Sequence, residues 1–198
     1  MKSAQGFTLM ELMLAITLFS AAMIISVSSL LGVIDFQRKA SALQRVENNV
    51  NFAVKSMMVD ISVGDLYRCG KSVPAGPADS ITPQSCWSGG GPLIVFRNVR
   101  NEKTVYRVSG GAIERCVDAA VSGACDSGSG LSYLRLTAAD VIIDSAISRI
   151  YVDGAEGTAA GDTKQPRTQL VIRASANVGG QIEIINIQSA VSQYTPDF

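Results

Sequence analysis

The sequence contains no histidine. That absence removes Ser-His-Asp and Cys-His nucleophile machinery, the usual imidazole proton shuttle and histidine-based zinc sites. Charge is scarce too: 17% of residues are Asp, Glu, Lys or Arg, and they balance to a formal charge of zero. Nothing global draws the chain to nucleic acid or to an anionic surface. Proline is missing from the first 73 residues, Pro74 being the first. A helix in that region has no proline to kink it, and Gly32 is its one soft spot. There is a single tryptophan, Trp87.

What is abundant lies at the start. From Phe7 to Ile34 the chain is mostly apolar and carries a single charge, Glu11. As a helix this run extends ~42 Å, more than the ~30 Å of a bilayer's hydrocarbon core. A carboxylate inside such a segment costs on the order of 2.5–3.5 kcal/mol and calls for a partner. Lys2 and Arg38 are both too distant along the helix to serve. A secretory signal peptide is one alternative, with Lys2 as its positive start and Ser20-Ala21-Ala22 as a small-residue cleavage site. A plain uncleaved anchor is another, but it explains the length and not Glu11.

The stretch "GFTLMEL" resembles the N-terminal processing motif of type IV prepilins and of the pseudopilins of type II secretion, carried here by Gly6, Phe7, Thr8, Leu9, Glu11 and Leu12. The resemblance implies cleavage by prepilin peptidase between Gly6 and Phe7 and methylation of the new N-terminus at Phe7. It implies that Glu11 attracts the N-terminal amine of an adjacent subunit during assembly of a pilus or pseudopilus fibre. A charge pair formed on docking removes the penalty of one buried charge.

From Asp35 to Ile61, Leu43, Val46, Val50, Ala53, Met57 and Ile61 recur at intervals of three or four. That is one face of an amphipathic helix, the core face for a C-terminal domain. From Gly64 to Gly91 the composition shifts, and with Pro92 this stretch holds four of the six prolines; it reads as a loop. Strands are expected at Leu93–Phe96, Thr104–Val108, Ala112–Val117, Leu131–Thr137, Ser148–Val152, Thr168–Ala176 and Gln181–Ser192, with turns at Gly110-Gly111 and Gly179-Gly180. In the last strand Ile182 and Ile184 share one face while Ile185 and Ile187 share the other, a phase slip that predicts a bulge or burial on both sides.

The expected fold class is α+β: a pilin-like lollipop whose long N-terminal helix, half in the membrane and half amphipathic, packs on an antiparallel β-sheet. The expected parts are a leader over 1–6, a transmembrane and assembly helix over 7–34, an amphipathic helix over 35–62 and a periplasmic β-rich domain over 63–198.

Four cysteines, Cys69, Cys86, Cys116 and Cys125, form no C-x-x-C pair. An even count beside a membrane segment favours two disulfides over four reduced thiols. Of the three pairings, Cys69–Cys86 with Cys116–Cys125 closes the shortest loops, both rich in small residues.

The segments "NVNFAVKSMMVDI", "VYRVSGGAIERC" and "QPRTQLVIRASANVGGQIEIINIQSAVSQ", with Gln188, Val191 and Ser192 near the end, look like J-type minor pseudopilins and W-type minor pilins. That likeness implies a non-enzymatic subunit in the inner membrane that helps to initiate or cap a fibre. Its implied partners are prepilin peptidase, other major and minor subunits and the inner-membrane assembly platform. The alternative is a fibre-borne adhesin or a DNA-uptake receptor. Arg97, Arg100, Lys103, Arg107 and Arg115 gather around the first hairpin, but Glu102 and Glu114 interrupt them and only Tyr106 offers a stacking surface. A solvated face is the simpler reading, and nucleic acid is not an expected partner. Trp87, beside Cys86, reads either as packing over a disulfide or as a partner contact. No cofactor is expected. The one loop with oxygen ligands for Ca²⁺ carries Asp153, Glu156 and Asp162, at a spacing foreign to an EF-hand.

Overall fold

In a computed structural model, the residues described are 8–118, 125, 133–156, 164–178 and 181–194. The chain divides into two compact units, Met1–Leu43 and Gln44–Phe198. One helix, α1, runs Leu9–Ser62 without interruption, as the lack of proline allows. In the first unit its apolar residues are exposed, among them Leu18, Phe19, Ile24, Ile25 and Leu31. The helix is long and apolar enough to cross a membrane.

Among the described residues the second unit contains the end of α1 and nine strands: β1 Asp65–Gly70, β2 Leu93–Arg97, β3 Lys103–Ser109, β4 Ala112–Asp118, β5 Leu134–Arg135, β6 Val141–Ile143, β7 Arg149–Asp153, β8 Arg167–Val178 and β9 Gln181–Ser192. Strands β1 to β5 form one antiparallel sheet in chain order. In the second sheet β6 and β7 lie in tandem along one edge of β8, and β9 lies along the other. The architecture is α+β, with one helix packed on antiparallel sheets.

The spacing of three and four along α1 is what makes the core. Val46, Val50, Ala53, Met57 and Ile61 are buried, with Val54 added and Leu43 half-buried. The six buried residues, Val46 to Ile61, meet Tyr67, Ile94, Phe96, Tyr106 and Ile113 of the first sheet and Ile143, Ile150, Val152, Leu170 and Ile172 of the second. A second cluster, Ile81, Leu93, Val95, Val105, Cys116 and Cys125, fills the opposite face of the first sheet. Burial on both faces explains why "LIVF" is an unbroken apolar run rather than an alternating one.

The segment Gly64–Gly91 is not all loop. It contains β1, which pairs with β2 through a register shift between Asp65 and Arg68, and a short 3-10 turn at Ala78–Ser80. Leu66 sits at that shift with φ of +53°, which breaks the alternation that would have marked a strand. The stretch Leu131–Thr137 yields only Leu134–Arg135 as strand; Leu131 and Ser132 lie outside the described residues. β9 has no bulge. All twelve residues pair in register with β8. Ile185, Ile187 and Val191 pack on the core, while Ile182 and Ile184 are exposed, so the phase slip reflects apolar side chains left in solvent. At the tight turn between β3 and β4, Gly110 and Gly111 have φ of +56° and +73°, the mirror-image turn that suits a two-residue hairpin. The turn read at Gly179-Gly180 lies outside the described residues.

Candidate assembly site at the N-terminus

The first turn of α1 is built by Thr8. Its hydroxyl accepts a hydrogen bond from the Glu11 backbone N–H at 3.3 Å, and its carbonyl accepts from Glu11 and Leu12 N–H at 3.1 Å. Thr8 is therefore the N-cap, and Glu11 occupies the third helical position, the acidic place of a T-x-x-E capping box. The cap is local to the helix and stands beside the assembly role that the resemblance implies for Glu11. The signal that gives it a second, local role was the threonine three residues earlier. An acid there also faces the positive pole of the helix dipole. Glu11 is exposed, on a helix whose neighbouring side chains, Leu12, Met13 and Leu14, are apolar and equally exposed.

Residues 1–27 match the family model described as the prokaryotic N-terminal methylation motif. The N-terminus is a prepilin-type methylation motif. The match is confined to this motif, which type IV prepilins and pseudopilins share, and it supports a pilin-type protein. No curated protein and no solved structure shows significant similarity to the chain. Gly6 and Phe7, the expected processing residues of this prepilin-type sequence, fall within the matched span but outside the residues the structure describes.

The other candidate residues are drawn into the architecture of the second unit. Cys69 is joined to Cys86 and Cys116 to Cys125, with Cα atoms 5.7 and 5.9 Å apart. The first bond ties β1 to the segment that covers the edge of β7, where Cys86 N–H donates to Val152 O at 2.9 Å. Gly91 and Ile150 then exchange hydrogen bonds of 2.7 and 2.9 Å. A side chain at position 91 would place its Cβ 2.7 Å from Gly70 O, so this close crossing of two backbones needs glycine.

The basic residues of the first hairpin are mostly neutralised where they stand. Arg97 pairs with Asp65 and, at 2.6 Å, with Asp79. Those two carboxylates hold the guanidinium pKa above its usual value, and Arg97 in turn lowers that of Asp79. Arg107 pairs with Glu114 at 2.6 Å, and Arg115 with Asp60 at 2.8 Å. Lys103 is buried, lies 3.9 Å from Asp118 and donates to Pro74 O and Gly76 O. Arg100 alone of the five has no ion pair among the described residues.

Trp87 is 44% exposed and packs edge-on against Tyr151, with the Arg167 guanidinium 5.0 Å from its ring centre. In the acidic loop, Glu156 accepts from Ser85 N–H at 2.7 Å and from the Ser85 hydroxyl, and Asp153 lies 3.5 Å from Lys164. Asp162 is outside the described residues. No group of three or more Asp, Glu, His or Cys that could hold a metal ion is found among the described residues.

Proposed function

We propose that the chain is a minor pilin or pseudopilin, of J or W type, that helps to initiate or cap a type IV pilus or a type II secretion pseudopilus. It is a structural subunit and not an enzyme. Prepilin peptidase cuts between Gly6 and Phe7, and the methylated Phe7 amine begins the mature chain. The helix then holds the protein in the inner membrane with its C-terminal domain in the periplasm until the assembly platform delivers it to the fibre.

The observation that carries this reading is the methylation motif running directly into an uninterrupted apolar helix with one acid, Glu11, in its first turn. A carboxylate there is costly in lipid unless a cation meets it, and the cleaved amine of a neighbouring subunit is such a cation. Further support comes from the outer face of α1 in the second unit, where Phe52 and Val59 are exposed. These residues extend an apolar surface into the solvent-facing side of an otherwise amphipathic segment, as side-by-side helix packing requires.

Mass spectrometry of the native protein tests the proposal. The expected terminus is an N-methylated Phe7, and Gly6→Arg leaves full-length precursor that never enters a fibre. A native terminus at Met1, or a cut after Ala22, overturns it. Glu11→Leu is expected to insert in the membrane normally and to be lost from fibres.

A further inference from the structure

Strands at the edge of a sheet present unpaired backbone donors and acceptors, and folded proteins normally blunt them with proline, lysine, a bulge or a covering segment. Among the described residues, several edges of this domain follow that rule. Outside β1, Cys69 N–H donates to Gln84 O and Gln84 N–H to Tyr67 O. Along β7 the edge is closed by the Cys86–Gly91 segment. β5 and β6 are only two and three residues long. β9 has twelve residues, no proline, no lysine and no bulge, and its second edge pairs with no other strand among the described residues.

The direction of its backbone groups can be worked out. Arg173 of β8 donates its N–H to the Ser148 hydroxyl and accepts from Asp144 N–H, both on the β6 and β7 side. Antiparallel strands alternate, so Asn186, opposite Arg173, turns its own N–H and C=O away from β8. The same holds for Ile182, Ile184, Gln188, Ala190 and Ser192. These six residues carry a complete set of strand-pairing groups facing outward, and their side chains are exposed as well. The one charge in the strand, Glu183, belongs to the other set.

We infer that this edge pairs with β9 of a second copy of the chain, antiparallel, across a two-fold axis at Ile187. In that register Ile182 faces Ser192 of the second copy, Ile184 faces Ala190, and Asn186 faces Gln188. All outward groups on both strands are then satisfied at once, as an isologous contact demands. The charges do not clash, because each Glu183 falls opposite Val191 of the other copy. The occupant is specified by the edge itself: it must be an extended strand, it must have outward groups at alternate positions over the same length, and it must bring no like charge to Glu183. β9 meets each condition. The inference is independent of how the N-terminus is processed.

The test uses the full chain in detergent micelles. Asn186→Cys and Gln188→Cys proteins are prepared separately, mixed and mildly oxidised. The mixture is expected to give a covalent dimer, because paired Cα atoms there fall within disulfide reach, whereas either protein alone places its cysteines diagonally, beyond it. Adding Ala190→Pro to both should abolish the product. Its N–H points outward, so proline spares the pairing with β8, and an unchanged far-ultraviolet spectrum verifies that. Should that spectrum change, Ile184→Lys replaces it as the disrupting variant, and it too should abolish the product. Equal crosslinking in every combination, or none in the mixture, overturns the inference. So does a monomer whose β9 amides gain exchange protection only in membranes containing other fibre subunits, which would give the edge to a different chain.

Discussion

The Tyr106 hydroxyl on β3 donates a hydrogen bond of 2.6 Å to Asp60 on α1. Arg115 on β4 reaches the same carboxylate oxygen at 2.8 Å. One acid on the helix thus gathers two neighbouring strands, and Tyr106 and Arg115 are themselves opposite each other in the register.

Burial, followed by the hydrogen bond to Asp60, pushes the Tyr106 pKa up from its ordinary value. A raised pKa means the folded state holds the proton more tightly than the unfolded chain does. The stability this contributes is complete below about pH 10 and is lost as pH rises beyond it. Tyr106→Phe should cost about 1–2 kcal/mol at pH 8. The gap between wild type and variant should narrow in denaturant melts above pH ~10. A gap that stays constant would contradict the assignment.

The two faces of α1 should respond differently to truncation. Met57 is fully buried and Phe52 is 70% exposed. Met57→Ala should destabilise the domain by about 2–5 kcal/mol. Phe52→Ala should stay within about 0.5 kcal/mol of wild type and yet reduce incorporation into fibres. Denaturation followed by Trp87 fluorescence measures the first pair of effects, and fibre fractionation measures the last.

The disulfides close loops with sequence separations of 17 and 9. On the chain-entropy account, replacing Cys69 and Cys86 together by serine should cost about 3 kcal/mol, and replacing Cys116 and Cys125 a few tenths less. Midpoints of urea unfolding for the two double variants check the order.

Thr8→Ala removes the N-cap while leaving the carboxylate of Glu11 in place. The loss expected for a cap is about 1 kcal/mol. Amide exchange at Leu9 to Leu12 in micelles should accelerate, and exchange farther along the helix should not.

Much of this architecture was legible because it repeats. The spacing from Val46 to Ile61 selects one helical face whatever surrounds it, and the alternation of Leu170, Ile172 and Ala174 selects one face of β8. β1 was not legible. It is a six-residue strand with a glycine, a cysteine and a left-handed Leu66, and it exists because β2 offers it a partner. β9 misled for the opposite reason. Its apolar residues were plentiful, and sequence alone could not tell that Ile182 and Ile184 lie in solvent. The capping role of Thr8 was written in plain sight but was overshadowed by the charge three residues on. The ion pairs of the first hairpin needed three dimensions, since Asp60 and Asp65 come from segments far from Arg115 and Arg97 in the chain.

The bond between Cys69 and Cys86 has a consequence for how the chain withstands proteolysis. A protease that nicks the backbone anywhere between Lys71 and Ser85 severs the chain but not the molecule, because sulfur still bridges the cut. The severed ends remain fastened at β1 and at the edge of β7. Damage to that exposed excursion would show on a reducing gel and stay hidden on a non-reducing one.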